Sequence, residues 1–170
     1  MNLLRTLAGI EWLSEKRRME LYPPYFLMRA KIVEVRDGWR VIRIRLPLTF
    51  FSRNLGGAMF GGWQAALADP VAALSCARVF PAYSVWTRGM SIDFDSPGDT
   101  DLELRFEMTP DKETAIRAQL DERGRATPHF DYCYYRTDGT CCTTIHNTVA
   151  LRPKGYVKPG RQGRISGEIS

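Results

Sequence analysis

One long segment, residues 58–80, constrains the fold of this chain more than any other part of it. Its larger apolar residues recur at helical spacing with many alanines between them: Met59, Phe60, Trp63, Leu67, Val71 and Leu74. A helix with small residues around its circumference can be approached closely on several sides, so the pattern predicts a long helix at the centre of the fold. Pro70 removes one backbone donor from this helix and predicts a kink there.

Alternating apolar and polar residues on both sides of this segment predict β-strands. Asp37-Gly38 and Asp138-Gly139 each separate two such runs and are typical of hairpin turns. The predicted strands cover residues 30–36, 39–46, 85–94, 102–108, 126–136 and 140–151. A short polar helix is predicted over 110–123, ended by Gly124. The sequence therefore predicts an α+β fold, with one antiparallel sheet of five or six strands covering one long central helix.

The chain has 170 residues, which is room for one ordinary domain. We expect an N-terminal helical extension over residues 1–27, because apolar residues recur at helical spacing over 2–20 and the Pro23-Pro24 pair follows. This helix is expected to dock on the sheet of the domain, which spans 28–153. Residues 154–170 combine Gly, Pro and Ser with basic residues and predict a flexible basic tail.

Charge and hydropathy exclude several classes of protein. The net charge is +5, from 24 Lys and Arg against 19 Asp and Glu. The arginines are spread along strand-like stretches and are not concentrated as in a nucleic-acid-binding protein, so no nucleic-acid partner is expected. Charges interrupt every apolar run well before the ~20 residues of a membrane span, and the first residues lack a cleavage site for secretion. We therefore expect a cytoplasmic protein.

The cysteines and histidines do not predict a metal site. The four cysteines, Cys76, Cys133, Cys141 and Cys142, contain no C-x-x-C pair, and the two histidines lie at no metal-ligand spacing from them. We interpret the cysteines as small reduced side chains. His129 and His146 fall on predicted strands with no Ser or Cys nucleophile motif beside them.

The start of the long helix carries a recognisable motif. Residues 54–69 read NLGGAMFGGWQAALAD, and this segment resembles the signature of hotdog-fold acyl-CoA thioesterases of the phenylacetyl-CoA thioesterase type. In that family an Asn, a His-Gly-Gly at the helix start and an acidic residue in mid-helix recur at this spacing, and here they correspond to Asn54, Gly61-Gly62 and Asp69. The strand and Pro-Gly turn at 92–99 also resemble the family. The resemblance covers about residues 28–152, and the chain is similar to a poorly characterised thioesterase-like branch of the fold.

The resemblance implies a hotdog fold, a sheet wrapped around one central helix, and hydrolysis of an acyl-CoA thioester. It implies no cofactor other than the coenzyme A of the substrate. It also implies a dimer, or a dimer of dimers, in which two central helices run side by side with the active sites between them. The acyl group, and the choice between coenzyme A and an acyl-carrier protein, remain open.

The chemistry of a thioester hydrolase assigns roles to these residues. Free N–H groups of Gly61 and Gly62 at a helix start, where the helix dipole is positive, suit the oxygen that becomes negative. Asp69 is the only acidic residue between Arg53 and Phe80, and desolvation on an apolar helix would strengthen it as a base, or it could attack as a nucleophile. Asn54 either polarises the thioester carbonyl or caps the loop before the helix.

The spacing of these groups predicts a shared site. Gly61 and Asp69 are eight residues apart, about 12 Å along a helix, so one carbonyl cannot touch both within one chain. Asp69 of one subunit must face Gly61 of another, and we therefore expect a homodimer. Phe60 and Trp63 are candidates to line an acyl pocket, with the alternative that they are ordinary core aromatics. Arg88 is a candidate to meet the phosphates of coenzyme A.

One residue departs from the family motif, and it keeps alternatives open. The His that precedes Gly-Gly in the family is Phe60 here. This change favours a first alternative, a non-catalytic hotdog domain that binds an acyl thioester or a fatty acid. A second alternative, a dehydratase of the same fold, needs a catalytic His on the loop, and neither His129 nor His146 is close to the central helix in sequence.

Overall fold

The computed structural model describes residues 14–156. Within this range the elements are, in chain order, α1 (Glu15–Glu20), α2 (Pro23–Leu27), β1 (Lys31–Arg36), β2 (Val41–Leu46), α3 (Gly61–Val79), β3 (Tyr83–Phe94), β4 (Leu102–Glu107), α4 (Pro110–Arg123), β5 (His129–Tyr135) and β6 (Cys141–Pro153). Their order agrees with the sequence prediction from the first hairpin onward. None of the helices in residues 14–156 is long and apolar enough to cross a membrane.

The six strands form one antiparallel sheet in the order β1-β2-β4-β5-β6-β3. The long helix α3 packs across one face of this sheet, and the predicted α+β architecture is confirmed. The core between them consists mainly of fully buried aliphatic side chains, such as Ile44 on β2, Leu104 on β4 and Leu67 on α3. Burial of each such side chain contributes about 1.5–3 kcal/mol.

The central helix begins at Gly61, whereas the sequence predicts a start at Ala58. Residues 58–60 are instead held by loop contacts, because Met59 N donates to Gly98 O at 2.8 Å and Phe60 N donates to Ser52 O at 2.7 Å. Phe60 is the N-cap, with extended backbone angles and no side-chain capping bond. Met59 is buried and Phe60 is half exposed, and both belong to the loop, so their apolar spacing does not reflect helix.

The two faces of α3 have different surroundings. One face is buried against the sheet and consists of Gln64, Leu67, Ala68, Val71, Ala72, Ser75 and Cys76. The opposite face, which we call the small-residue face, consists of Gly62, Ala66, Asp69, Ala73 and Ala77, all exposed or half-buried. These residues recur at intervals of three or four, so they form one stripe along the helix.

Polar side chains from the sheet tie α3 in place. Tyr134 Oη donates to the carbonyl of Gln64 and Tyr132 Oη to the carbonyl of Ala68, both at 2.8 Å. Burial raises the pKa of both tyrosine phenols, so the hydroxyls remain protonated donors over the physiological range. The two buried tyrosines thereby oppose sliding of the helix along its axis and its separation from the sheet.

The N-terminal extension is only partly described. Residues 15–20 of the helix predicted over 2–20 are helical, and residues 2–13 lie outside the described part. Pro23 and Pro24 open a second short helix, α2, because proline fits the first positions of a helix. α1 docks on the edge strand β1, as expected of this helix: Lys16 Nζ donates to Val33 O at 2.9 Å, and Glu20 Oε1 accepts from Ile32 N at 3.1 Å. Residues 157–170 of the predicted basic tail also lie outside the described residues.

Residues with positive φ angles set the ends of the elements at two turns. Asp37, Gly38 and Trp39 all have positive φ, of 52°, 61° and 73°. This turn takes up residues that the sequence assigns to the second strand, which therefore begins at Val41 and not at Trp39. Gly124 adopts the left-handed conformation at φ 63° and ends α4 as predicted.

Candidate active site on the central helix

The sequence-predicted oxyanion donors lie at the N-terminus of α3. Trp63 N and Gln64 N donate to the carbonyl of Phe60 at 3.0 and 3.4 Å. Gly61 and Gly62 precede them, and within residues 14–156 their N–H groups have no hydrogen-bond acceptor. These two N–H groups lie at the positive end of the helix dipole, an arrangement that suits an anionic oxygen.

Two phenylalanine rings cover the glycine pair. A Cβ at Gly61 would lie 2.8 Å from the Phe94 ring, and a Cβ at Gly62 would overlap the Phe60 ring. A side chain at either position would therefore force one of these rings to move. The rings remain about half exposed, at 52 % for Phe60 and 56 % for Phe94. Phe94 was not predicted as a site residue, and its position at the end of a strand gives no sequence signal for this contact.

Asn54 closes the loop before the helix. Its Oδ1 accepts from Ala58 N at 3.1 Å, while its backbone N donates to Ala58 O at 2.8 Å and its carbonyl accepts from Gly57 N at 3.0 Å. This geometry favours the loop-capping alternative for the side-chain oxygen. The amide nitrogen is the atom that would have to polarise a substrate carbonyl, and that role stays a prediction.

A wide apolar groove opens beside Phe60. Its lining residues are Phe50, Arg53, Asn54, Leu55, Gly56 and Phe60. Phe50 is 88 % exposed and Leu55 is fully exposed. Phe50 and Leu55 were not predicted as site residues, although large apolar residues in a Gly-containing loop are a usable signal.

Trp63 anchors the loop to the helix. Its indole Nε1 donates to the carbonyl of Phe51 at 3.1 Å, and its ring is half-buried against the core. The residue therefore holds the groove wall in place. Its predicted contact with an acyl group stays a prediction.

Asp69 lies two turns along the same helix, on the small-residue face. Its side chain is exposed in the protomer, whereas Leu67 and Ala68 point into the core. The expected apolar surroundings are therefore absent within one described chain, because sequence neighbours on a helix lie on different faces. The backbone carbonyl of Asp69 accepts from Thr87 Oγ1 at 2.8 Å and from Asn147 Nδ2 at 3.2 Å.

Arg88 lies on the edge strand β3, next to Thr87. It occupies a bulge in the pairing with β6, between Thr87 and Gly89, and its side chain is exposed. The structure thus brings Asn54, Phe60, Gly61 and Gly62 together at one end of α3. Asp69 and Arg88 belong to a second group near the middle of the helix and the uncovered edge of the sheet.

Both histidines lie on the outer face of the sheet, away from α3. His146 Nδ1 is 2.7 Å from Asp131 Oδ1, and its Nε2 is 3.2 Å from Asp93 Oδ2. These carboxylates, Asp131 first, raise the pKa of His146. His129 Nδ1 lies 2.8 Å from Thr148 Oγ1. Among the described residues, neither histidine of the protomer therefore has a recorded hydrogen bond to a residue of the candidate site.

Thiols and metal-binding groups offer no second reactive centre in the described part of the chain. Cys76, Cys133, Cys141 and Cys142 are all free. Burial raises the pKa of Cys76 to about 12, so this thiol is inert at neutral pH. Across residues 14–156 the His, Cys, Asp and Glu side chains form no group of three that could hold a metal ion.

Comparison with solved structures shows that this chain has the hotdog fold, which it shares with proteins described as thioesterases and with proteins of unknown function. A probable thioesterase of unknown function from Pseudomonas aeruginosa superposes with a TM-score of 0.72 at 15 % identity, over 81 % of this chain and 93 % of that one. A thioesterase from Haemophilus influenzae gives a TM-score of 0.63 at 12 % identity, over 80 % and 87 %. A protein of unknown function from Chlorobaculum tepidum gives 0.66 at 11 % identity, over 89 % and 94 %.

The family follows from the sequence itself. Residues 12–151 match the family described as Domain of unknown function (DUF4442), and the chain belongs to that family. No protein with curated annotation matches the sequence.

Proposed function

We propose that this protein is a thioester hydrolase that acts on an acyl-CoA or acyl-carrier thioester in a homodimer. In this proposal Asp69 of one subunit acts as base or nucleophile, and the Gly61 N–H of the other donates to the thioester oxygen. The observation that carries the proposal is the position of Asp69: a lone exposed carboxylate in the middle of the small-residue face, on the helix whose N-terminus presents two free N–H groups.

The small-residue face supports the pairing of two helices. Gly and Ala side chains at Gly62, Ala66, Ala73 and Ala77 would let a second helix approach closely. An antiparallel neighbour would place its own N-terminus near Asp69, because Gly61 and Asp69 are about 12 Å apart along one helix. The pairing would also remove Asp69 from water and strengthen it as a base.

The edge strand β3 supports the same assembly. This strand is 12 residues long, and it lies at the end of the strand order. No residue of 14–156 pairs with its outer edge, and Trp86 on it is 43 % exposed. A long uncovered edge with exposed apolar side chains favours pairing with a second copy.

Hydrolysis in this site would need activation of the group that attacks the carbonyl and stabilisation of the oxygen that becomes negative. The carboxylate of Asp69 would take a proton from a water that attacks the thioester carbonyl, or would itself attack the carbonyl to give an anhydride that water then opens. In both routes the oxygen becomes negative and the helix N-terminus stabilises it, a contribution for which loss of one donor typically costs ~10²–10³ in rate. The carrier sulfur leaves as a thiolate, which takes up the proton held by Asp69 in the general-base route and a proton from solvent in the nucleophilic route.

The remaining site residues would contact the substrate on either side of the carbonyl. Phe60 faces the apolar groove and would touch the acyl group, with Trp63 behind the groove wall and Gly62 allowing close approach to the backbone. Arg88 on the uncovered edge is exposed and would meet the phosphates of a coenzyme A carrier. These assignments extend the proposal and share its test.

The test is thiol release from a panel of acyl-CoA thioesters of different length and aromatic character. The Asp69→Asn variant is expected to lose about 10²–10⁴-fold in kcat, because a general base contributes that range. Asp121→Asn is the matched control, since Asp121 is an exposed Asp on helix α4. Turnover that is equal in the native protein and Asp69→Asn would show that the assignment of Asp69 is wrong.

Phe60 favours a second candidate function, binding without turnover. It replaces the His of the family motif, and its ring packs over Gly62. A binding protein would retain an acyl-CoA or fatty acid with an affinity that Asp69→Asn leaves unchanged, and it would release no thiol. Calorimetry on the same panel separates the two functions.

A further inference from the structure

The backbone carbonyl of Asp69 receives side-chain hydrogen bonds from two strands. Thr87 Oγ1 on β3 donates at 2.8 Å, and Asn147 Nδ2 on β6 donates at 3.2 Å. The same Asn147 nitrogen also lies 3.0 Å from Tyr132 Oη, which donates to the carbonyl of Ala68 at 2.8 Å. Two successive carbonyls of α3 are thus tied to β3, β5 and β6 at the position of the proposed catalytic residue.

The residue that follows Asp69 explains why such ties are needed. Pro70 disfavours the helical conformation of the residue before it, because the proline ring clashes with that residue's backbone and Cβ. Pro70 also lacks the N–H that would bond to the carbonyl of Ala66. Asp69 is nevertheless helical, within the continuous helix Gly61–Val79. Its conformation is opposed locally and must be held by tertiary contacts.

We infer that Thr87 and Asn147 are positioning residues for the Asp69 carboxylate. By holding the carbonyl of Asp69 they keep its backbone helical beside Pro70, and the backbone sets the direction of the side chain. The inference rests on the proposed thioesterase function. A misplacement of about 1 Å at a reacting group can cost ~10²-fold in rate, so a small rotation at residue 69 is sufficient to matter.

The fold supplies a matched control for this inference. Tyr134 Oη donates to the carbonyl of Gln64 at 2.8 Å, which is the same kind of bond between the sheet and the same helix. Gln64 lies five residues before Asp69, and the bond from Tyr134 does not involve Asp69. Tyr134→Phe therefore removes a comparable bond without releasing the carbonyl beside Pro70.

The experiment measures kcat and KM of Thr87→Val, Thr87→Ser and Tyr134→Phe with a thioester that the native protein hydrolyses. Thr87→Val keeps the side-chain shape and removes the donor, and we expect kcat to fall about 10–10²-fold with KM little changed. Thr87→Ser restores the hydroxyl and is expected to restore kcat. Tyr134→Phe is expected to lower stability, measured by urea unfolding, and to leave kcat within about twofold of the native value.

A double-mutant cycle with Pro70→Ala separates positioning from general stability. If the proline is the source of the strain, Thr87→Val should lose much less kcat in the Pro70→Ala background than in the native one. A merely structural role of Thr87 would give the same loss in both backgrounds. Asn147→Ala, which removes the second donor, is expected to act in the same direction as Thr87→Val and serves if that variant does not fold.

Three results would overturn the inference: a loss in Thr87→Val no greater than in Tyr134→Phe, no rescue by Thr87→Ser, or an undiminished loss beside Pro70→Ala. If Asp69→Asn abolishes turnover while Thr87→Val does not reduce it, only the positioning role is wrong. If Asp69→Asn retains full turnover, or the native protein releases no thiol, the proposed function is wrong and the positioning role with it.

Discussion

At the β1 edge of the sheet, helix α1 supplies side chains to the free backbone groups, whereas at the β3 edge no described residue does so. Glu20 accepts from Ile32 N, and Lys16 donates to Val33 O. β1 has six residues and β3 has twelve, so the longer edge is the uncovered one. Proteins normally blunt a free edge to prevent pairing with another chain. Within residues 14–156 the chain therefore covers one edge and leaves the other uncovered, which supports the proposed pairing with a second copy.

The regions beside the two edges also contain different ionisable pairs. We call the region beside the β1 edge the closed side and the region beside the β3 edge the open side. On the closed side, Arg40 at the start of β2 binds Glu113 of α4 through two hydrogen bonds. On the open side, His146 links Asp131 of β5 to Asp93 of β3 across the outer face of the sheet. A carboxylate stabilised by arginine and a histidine stabilised by carboxylates lose their contributions at opposite ends of the pH range. The two sides can therefore be distinguished by titration as well as by mutation.

The largest effect is expected from Ala66→Arg, which places a long charged side chain in the proposed dimer interface. Ala66 lies on the small-residue face one turn before Asp69. An arginine there would hold the two helices apart and bury a charged side chain, which would cost several kcal/mol, or ~10²-fold or more in the dimer dissociation constant. Light scattering should show a monomer, and thiol release should fall with it. Ala118→Arg on the exposed face of α4 is the control and should remain dimeric. A dimeric, active Ala66→Arg protein would contradict the proposed interface.

The next effect is expected at Glu113, on the closed side. Its hydrogen bond with Arg40, assisted by Arg117, lowers its pKa to about 2 from the ordinary 4.5. A lowered pKa gives stability that is present above about pH 4.5 and is lost as the pH falls toward about 2. Glu113→Gln should lower the free energy of unfolding by about 1–3 kcal/mol at neutral pH.

Urea unfolding at neutral and acidic pH checks this prediction. The difference between the native protein and Glu113→Gln should shrink in acid, where both forms carry a neutral side chain at this position. Glu122→Gln is the control, because Glu122 is exposed and pairs only with Arg123 among the described residues. An equal loss at all pH values would show that packing, and not charge, is the contribution of Glu113.

A smaller effect is expected from Glu20→Ala, which opens the closed edge. The change leaves the N–H of Ile32 without its acceptor and should cost about 1 kcal/mol in the free energy of unfolding. It should also raise the tendency of the protein to associate beyond the dimer, because a second edge becomes available. Concentration-dependent light scattering measures this association, and an unchanged profile would show that α1 does not protect the edge.

The smallest effect is expected from His146→Gln, which sharpens the difference between the two sides. Asp131 and then Asp93 raise the pKa of His146 above its ordinary 6.5, so its contribution is full below that value and is lost as the pH rises through the raised pKa. The side chain is exposed, so the shift in Tm should be slight, and it should disappear as the pH rises above the raised pKa. His129→Gln is the control, because the recorded partner of the His129 ring is the hydroxyl of Thr148 and not a carboxylate. A difference in Tm that grows with pH would reverse the predicted sign.

The sequence predicted the positions of the helices and strands well and the contacts between them less well. The strand periods, the Asp-Gly turns and Gly124 are local signals, and they located the six strands and the helix α4 to within a few residues. The start of α3 was misplaced because Met59 and Phe60 continue the helical spacing of apolar residues, whereas their backbone N–H groups bond to the carbonyls of Gly98 and Ser52 in other segments. Gly61 and Asp69 were selected through the resemblance of residues 54–69 to a thioesterase motif. Helix geometry alone then indicated that one carbonyl cannot touch both residues within one protomer.

Other site features had no local signal. Phe94 covers Gly61 from a strand more than thirty residues away, and Thr87 and Asn147 reach the carbonyl of Asp69 from two different strands. Each contact depends on strand order and register, which a single sequence does not encode at short range. The exposure of Asp69 also depends on which face of α3 the sheet covers.

The sequence by itself determined that the chain is an α+β protein with one long small-residue helix, a glycine pair at its start and a single carboxylate in its middle. It did so because hydrophobic periodicity, turn residues and backbone sterics act over a few residues. Only the tertiary structure decided that the carboxylate lies on the uncovered face, that β3 is the free edge and that the sheet holds the carbonyl beside Pro70. Those features arise from contacts between distant segments, whose geometry is fixed only when the whole core is packed.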